Sequence, residues 1–503
     1  MLFNSYEFLL FFLPVTLAGW FLCGRWAGLR TAQLWLIACS LFYYGWWNPW
    51  YLLLIVTLTV LNYSWGRLLA QRAAAKLPVG MLLALGVGAN LCILGYYKYA
   101  NFFVANIHAL FGADWVVGNV ILPLGISFFT FQKIGYLVDC SRGLVPTGGF
   151  LRFVLFVVFF PQLIAGPIVH HGEIMPQFAR PEVARPKWEN LALGLTMLTF
   201  GLAKKVLLAD PLSVRIGEGF TAASLGHALP VSNAWYVVLA YAVQIYFDFS
   251  GYSDMAIGLA RLFNITLPQN FNSPYQSVNI VEFWRRWHMT LSRFLRDYLY
   301  FPLGGNRRGR LRQRLNLMAT MLLGGLWHGA NWTFVVWGLL HGFYLVLNHA
   351  WIETKEKLAW LARIPRPLRL LTAHSLTLFA VLFAWVLFRA TTFTSALAMM
   401  EAMFGGGPLR VADEMTVIST LHLERWLWLA ALYGILLFAP NSQSICSRFQ
   451  PVLGMDQPST TPNLGRNRLL WQPTTAWAIG MALVFMAAFI SLTSVTEFLY
   501  YQF

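Results

Sequence analysis

Long apolar stretches recur along the whole chain and are separated by short polar connections. After an apolar N-terminal segment, they lie near residues 31–47, 49–62, 79–97, 115–138, 151–169, 191–209, 232–249, 315–326, 332–350, 371–388, 426–440 and 475–493. A membrane-spanning helix needs about 20 apolar residues, and several of these stretches are shorter than that. Lipid-exposed backbone must satisfy its own hydrogen bonds, which favours helices. The pattern predicts an all-α integral membrane protein with roughly ten to thirteen embedded helices, some of them short, re-entrant or interfacial.

The composition supports a single membrane domain over residues 1–503. Of the 503 residues, 58% are hydrophobic and 11% are charged, whereas a soluble domain carries about 25% charged residues. A soluble enzyme, a disordered protein and a disulfide scaffold are therefore disfavoured. The polar stretches 351–370, 405–424 and 450–474 are the sizeable loops that we expect, and none could form a core alone. The N-terminal segment has no basic region or cleavage site, so we expect a retained membrane segment.

The chain is strongly basic, with 36 Lys and Arg against 20 Asp and Glu and a net charge of +16. Cytoplasmic loops of membrane proteins accumulate basic residues, so this excess favours membrane topology and lipid contact over nucleic-acid binding. Nine of the arginines lie between residues 268 and 314, which we expect at the cytoplasmic face: Arg285, Arg286, Arg293, Arg296, Arg307, Arg308, Arg310, Arg312 and Arg314.

The segment VEFWRRWHMTLSRFLRDYLY predicts one amphipathic helix lying in the membrane interface. One face would hold Trp284, Trp287, His288, Leu291, Phe294, Leu295 and Tyr298, and the other the charged residues. Glu282 with Arg286 and Arg293 with Asp297 have the i,i+4 spacing of exposed ion pairs. His288 is a polar residue on the apolar face, so it must find a hydrogen-bond partner inside the protein.

A second histidine, His328, lies in the apolar segment MATMLLGGLWHGANWTFVVWGLLHGF. Ionisable residues in such segments are costly and are functional candidates. Nearby glycines predict an interrupted helix, and Asn331 is expected to cap the helix that starts at Trp332. Two interpretations stay open: a functional imidazole, or a buried histidine bonded to a carbonyl. His341 would lie about 220° around an uninterrupted helix from His328 and so off its face. The sequence requires no metal site.

Several segments resemble the bacterial polysaccharide branch of the membrane-bound O-acyltransferase family, closest to its members in alginate O-acetylation. They are the stretch from DFSGYSD to FPLGGNRRG, which contains WRRWH, and LPLGISFFTFQKIGYLVD, FPQLIAGPI, FGLAKKVLLAD, LLGGLWHGANWTFVVWGLLHG and FLYYQF. Lys133 departs from the apolar residue expected within the second of these. The resemblance implies helices around a central tunnel, with His328 as the catalytic histidine and His288 as the second signature residue.

The resemblance also implies the reaction. An acetyl group would leave cytoplasmic acetyl-CoA, cross the inner membrane, and reach the hydroxyls of an exported polysaccharide such as alginate or cellulose through a periplasmic or membrane-anchored acetyltransferase partner. No bound cofactor is implied. A buried neutral imidazole can act as general base. His288 could orient the substrate or share the proton work. The Trp327 indole N–H, the Asn331 amide and the backbone amides at the glycine break are candidate donors to the oxyanion. The arginines of 285–314, among them Arg285 and Arg286, could attract the donor's phosphates, or contact lipid instead.

Three other functions stay open from the sequence. The first is transfer of D-alanyl or another acyl group to a cell-envelope polymer. The second is a glycan transporter or flippase, a class that often shows internal repeats, although we find none in this chain. The third is a non-enzymatic scaffold for polysaccharide export.

Overall fold

The computed structural model describes residues 1–112, 118, 120–145, 149–227, 229–355, 357–358, 363–406, 423–455, 469–492 and 498–499. These residues form helices and connections, and the described part contains no strand beyond an isolated bridge between Pro268 and Leu453. The all-α prediction is confirmed. The helices are α1 (Leu13–Trp26), α2 (Leu29–Gly45), α3 (Trp50–Ala74), α4 (Gly80–Phe111), α5 (Ile126–Ser141), α6 (Phe150–Val158), α7 (Phe160–Leu163), α8 (His171–Phe178), α9 (Trp188–Ala203), α10 (Ser213–Ser224), α11 (Val231–Leu262), α12 (Ile280–Arg286), α13 (Met289–Leu295), α14 (Gly309–His328), α15 (Trp332–Lys355), α16 (Arg366–Arg389), α17 (Phe393–Met403), α18 (Leu423–Phe438), α19 (Ser442–Ile445) and α20 (Thr475–Ile490).

Six helical segments are long and apolar enough to cross a membrane: Phe8–Trp26, Trp50–Ala74, Gly80–Phe111, Trp188–Ser224, Trp332–Lys355 and Arg366–Arg389. Their length and composition confirm a membrane protein. The larger count of ten to thirteen embedded helices stays a prediction. Other apolar stretches form helices that are shorter than a membrane span or are interrupted. The stretch 151–169, for example, is divided where Phe159 separates α6 from α7.

The predicted loops are only partly described. Residues 407–422, 456–468, 493–497 and 500–503 lie outside the described part of the chain, and they include most of the second and third predicted loops and most of FLYYQF. The first predicted loop, 351–370, is shortened at both ends, because α15 continues to Lys355 and α16 begins at Arg366.

The chain divides into two compact units that interleave in sequence. Unit 1 contains Met1–Val206, Gly251–Gln269 and Ser442–Gln502, and unit 2 contains Leu207–Ser250 and Asn270–Asn441 with the last residue. The prediction of a single domain over the whole chain stays a prediction.

Unit 1 holds a buried polar cluster around Asp254. One carboxylate oxygen of Asp254 accepts hydrogen bonds from Lys204 Nζ at 2.6 Å and Ser442 Oγ at 2.5 Å, and the other accepts one from Gln443 Nε2 at 2.5 Å. The carboxylate is thereby paired and bonded on both oxygens, as a buried charge requires.

Unit 2 holds the hairpin formed by α14 and α15. The two helices approach closely where Gly325 faces Gly338, and a Cβ placed on Gly325 would lie 2.9 Å from the Gly338 Cα. The turn between these helices, at residues 329–331, follows directly after His328. The hairpin therefore determines where His328 lies within unit 2.

Candidate active site

His288 lies at a break between two short helices, not within one long helix. Its backbone is left-handed, with φ 43° and ψ 52°, and it separates α12 from α13. A π-helical turn, Arg296–Tyr300, continues the segment. The prediction of one continuous amphipathic helix is therefore wrong. The break turns the His288 side chain inward, and the residue has 0% exposure.

Asn270 lies in an irregular segment and forms hydrogen bonds that hold this break in place. Its backbone carbonyl accepts a hydrogen bond from Met289 N at 2.9 Å, and its side-chain oxygen lies 3.0 Å from His288 Nδ1. The same oxygen accepts a bond from Thr290 Oγ1 at 2.9 Å. These bonds compensate for the helical bonds lost at the break. His288 thus has the internal hydrogen-bond partner that its position on the apolar face demanded.

His328 is the last residue of α14, and the predicted interruption after it is confirmed. Gly329 is extended, and a Cβ there would overlap the Phe334 ring, so a larger residue would require that ring to move. His328 is 6% exposed, and its ring centre lies 5.0 Å from Trp327, 5.2 Å from Trp337 and 5.2 Å from Phe388.

The structure brings the two predicted histidines together. The ring centres of His288 and His328 are 6.5 Å apart, with an interplanar angle of 57°. Each ring nitrogen lies only about a bond length from its ring centre. The nitrogens of the two rings are therefore farther apart than the length of a direct hydrogen bond, about 3 Å. Trp327 lies beside both rings, at 6.2 Å from His288 and 5.0 Å from His328. We call His288 and His328 the imidazole pair.

Burial determines the charge of His288. This residue lies outside the six candidate membrane spans. Burial lowers the pKa of His288 to about 3, because a desolvated imidazole resists protonation. His288 is therefore neutral at neutral pH. A neutral imidazole keeps one nitrogen lone pair that can accept a proton.

Asn331 caps α15 as predicted. Its side-chain oxygen accepts a hydrogen bond from Thr333 N at 3.0 Å, and its amide nitrogen donates to the Thr391 carbonyl at 2.7 Å. These bonds fix the turn that follows His328. The contact between Asn331 and an oxyanion stays a prediction, and so does the contact proposed for Trp327.

Arg285 and Arg286 differ in their surroundings. Arg286 forms the predicted ion pair with Glu282 at 2.6 Å, whereas Arg285 is exposed. Asp297 lies 2.7 Å from the adjacent Arg296. Arg285 is therefore the more available of the two candidate contacts for an anionic substrate, and that role stays a prediction.

His341 joins the site although the sequence interpretation placed it off the face of His328. That interpretation assumed an uninterrupted helix, but α14 and α15 fold back on each other. Trp337 consequently contacts both rings, at 5.2 Å from His328 and 4.8 Å from His341. His341 has 0% exposure, and neither of its ring nitrogens has a hydrogen-bond partner among the described residues.

Asn270 and His341 are the site residues that the sequence reasoning missed. Asn270 lies within the resembling segment, but nothing in its spacing relates it to His288. Across the described ranges, no group of three or more His, Cys, Asp or Glu side chains is arranged to hold a metal ion.

Comparison with known proteins supports the resemblance found in the sequence. The model of the membrane-bound O-acyltransferase family matches residues 29–366. The chain is 38% identical to a peptidoglycan O-acetyltransferase of Helicobacter pylori, over 100% of this chain and 98% of the relative. It is 38% identical to a protein of Azotobacter vinelandii named "Probable alginate O-acetylase AlgI", over 100% of both. A teichoic acid D-alanyltransferase of Streptococcus thermophilus is 29% identical over 46% of this chain and 58% of its own length.

Proposed function

Because the chain belongs to the membrane-bound O-acyltransferase family, we propose that it takes an acetyl group from cytoplasmic acetyl-CoA and passes it across the inner membrane for O-acetylation of an exported polysaccharide. The protein is a multi-pass acyltransferase of the inner membrane. The main support for this proposal is the imidazole pair, two buried histidines of unit 2 whose ring centres are 6.5 Å apart.

The imidazole pair supplies the proton chemistry that acyl transfer needs. A thioester is already activated, so the demand is for a base that deprotonates the attacking hydroxyl. In our proposal, His328 accepts this proton as the hydroxyl oxygen bonds to the acyl carbon, and His288 shares the proton work. The proton then passes to the departing thiolate as the carbon–sulfur bond breaks. Positioned proton transfer of this kind contributes about 10²–10⁴-fold to the rate.

The surroundings of His328 favour this chemistry. Trp327, Trp337 and Phe388 surround the ring and exclude most water, which strengthens electrostatic interactions at the reacting atoms. In the proposal the Trp327 indole N–H is a candidate donor to the oxyanion of the tetrahedral intermediate.

The acceptor side of the proposal includes a partner. Two full-length relatives are named for acetylation of peptidoglycan and of alginate, which are both polymers outside the cytoplasm. The described part of this chain contains membrane helices and short connections, so a periplasmic or membrane-anchored acetyltransferase would complete transfer to the polymer.

Labelled acetyl transfer tests the proposal. The purified protein in proteoliposomes would receive labelled acetyl-CoA, with alginate, cello-oligosaccharide or peptidoglycan fragments and a candidate partner. We expect His328→Ala to lower the rate about 10²–10⁴-fold at equal protein level. The control His349→Ala changes another histidine of unit 2, near the end of α15, and should keep the activity. Full activity of His328→Ala would refute the general-base role, and glycan transport without acetyl transfer would refute the enzymatic proposal.

A further inference from the structure

Asn270 makes three contacts through one buried side-chain oxygen. It has 0% exposure, and its side-chain oxygen lies 3.0 Å from His288 Nδ1, 2.9 Å from Thr290 Oγ1 and 3.4 Å from Thr290 N. All of these residues belong to unit 2. One amide group therefore contacts an imidazole of the site and the first residues of α13 together.

These contacts determine which nitrogen of His288 carries the hydrogen. The backbone N–H of Thr290 can only donate, so the Asn270 atom that faces it must be the oxygen and not the amide nitrogen. An amide oxygen can only accept, so His288 Nδ1 must be a donor. A neutral imidazole has one N–H, and the lone pair therefore lies on Nε2.

We propose that Asn270 is a positioning residue of the acyl transfer: it holds His288 in the Nδ1–H tautomer, so that Nε2 is the His288 nitrogen that accepts a proton during the reaction. This inference rests on the proposed function. An active-site base that is oriented by a third group is the general arrangement of activated nucleophile sites. Loss of such a supporting hydrogen bond commonly lowers activity about 10–100-fold at metal sites, where the effect has been characterised.

The proton released in this step comes from one substrate, is held by the imidazole pair, and ends on the leaving thiolate. The hydroxyl O–H bond breaks, the oxygen bonds to the acyl carbon, and the pair holds the released proton. A proton that reaches His288 enters at Nε2, and the resulting imidazolium keeps its Nδ1–H on Asn270. When the carbon–sulfur bond breaks, the thiolate takes the proton and both rings are neutral again.

Within the described part of the chain, four ring contacts of His288 can be compared for titratable groups. Phe249 from α11 lies at 4.9 Å, Phe271 at 6.5 Å, and Trp327 and His328 from α14 at 6.2 Å and 6.5 Å. The titratable member of this set is His328. A carboxylate at position 270 would therefore change the pKa of His288 in a predictable direction, upward, since it would stabilise the imidazolium.

Two substitutions of Asn270 test the proposal. Asn270→Ala removes the acceptor and should lower acetyl transfer about 10–100-fold, as loss of a supporting hydrogen bond does at other sites. Asn270→Asp keeps an acceptor for Nδ1–H and should keep much of the activity near neutral pH. As the pH is lowered, Asn270→Asp should lose activity at a higher pH than the wild type does. The reason is that its His288 has a raised pKa and becomes protonated at that higher pH.

A matched control separates positioning from folding. Asn316 is also a buried asparagine of unit 2, and it donates a hydrogen bond to the Gly305 carbonyl at 2.9 Å, away from the imidazole pair. Asn316→Ala should keep the wild-type pH profile and most of the activity per folded molecule. Equal activity of Asn270→Ala and Asn316→Ala per folded molecule would overturn the proposal, as would an Asp variant no more active than the Ala variant at any pH.

The tautomer can also be measured without activity. Solid-state NMR of protein labelled with ¹⁵N-histidine would identify the His288 signals by their loss in His288→Gln. We expect a protonated Nδ1 and an unprotonated Nε2 in the wild type, and a mixture of tautomers in Asn270→Ala. A protonated Nε2 in the wild type would overturn the proposal. If no acetyl transfer is found in the wild type, the proposed function fails while the tautomer result can still hold.

Discussion

At the scale of single residues, the two histidines reach the site by different routes. His288 needs a left-handed backbone between two short helices, and His328 needs only the end of a helix followed by glycine. Both side chains end within one group of aromatic rings. A site assembled in this way depends on residues at the ends of helices, where the backbone is free to turn.

Sequence reasoning found these two histidines because each is a polar residue in an apolar pattern. It did not find Asn270, because an asparagine in an irregular segment gives no periodic signal and its partner lies 18 residues away along the chain. It excluded His341, because a helical wheel assumes one continuous helix. The contacts that matter here are between elements, and spacing within one element does not report them.

His341 provides a prediction at this scale. Both of its ring nitrogens are buried without a partner among the described side chains, and each such group costs about 1–3 kcal/mol. We expect His341→Phe, which keeps an aromatic ring beside Trp337, to raise the thermal unfolding midpoint in detergent. His349→Phe, at a partly exposed position of the same helix, should leave the midpoint unchanged. A lower midpoint for His341→Phe, or loss of acetyl transfer, would mean that these nitrogens bind water or substrate.

At the scale of helices, the α14–α15 hairpin is the element that fixes His328. Gly325 and Gly338 let the two backbones approach, and Gly342 lies close to Met318. Interfaces of membrane helices use small residues in this way, because close backbone packing replaces the hydrophobic effect that lipid does not supply. The position of His328 is therefore sensitive to the spacing between these two helices.

Neighbouring glycines in α14 test this dependence. A Cβ on Gly325 would overlap the Phe334 carbonyl oxygen, whereas a Cβ on Gly324 would lie 3.2 Å from the end of the Leu295 side chain. We expect Gly325→Ala to destabilise the protein by about 1–3 kcal/mol and to lower acetyl transfer. Gly324→Ala should be nearly neutral, since alanine favours a helix. Thermal unfolding of both variants in detergent measures the difference, and equal stability would contradict the close-packed hairpin.

The helices themselves were largely predictable from apolar periodicity, but their breaks were not. The interruption after His328 was predictable, because the glycines beside it in the sequence indicate a helix break. The break at His288 was not, because the segment from Glu282 to Tyr300 contains neither glycine nor proline. It arises from the hydrogen bonds to Asn270, which compete with helical bonds only in the folded unit.

At the scale of the whole molecule, composition was sufficient to assign a helical membrane protein. The number of spanning helices was less predictable, since a count of apolar stretches does not separate a spanning helix from a short or broken one. Two interleaved compact units were not foreseen either. Their boundaries fall inside α11, inside the helical segment Lys204–Ala209, and in irregular chain near residues 269–270 and 441–442. The sequence has no linker composition at these places.

The charge of the molecule supports a prediction about substrate capture. Exposed arginines lie at the start of α14 and just before it, among them Arg307, Arg308 and Arg312. If they attract the phosphates of acetyl-CoA, raising the salt concentration from about 0.05 M to about 0.5 M should increase KM several-fold with little change in kcat, because salt screens exposed charges. Acetyl-pantetheine, which lacks the nucleotide phosphates, is the matched donor. Steady-state kinetics would contradict the idea if both donors responded alike.

The left-handed backbone at position 288 also restricts how this gene can drift. Asparagine, aspartate and histidine are the residues with a side chain that adopt this conformation most readily. Asparagine and aspartate codons each differ from a histidine codon by a single base. A point mutation can therefore remove the imidazole at little cost to the backbone. We therefore expect His288→Asn to remain folded in detergent while losing acetyl transfer.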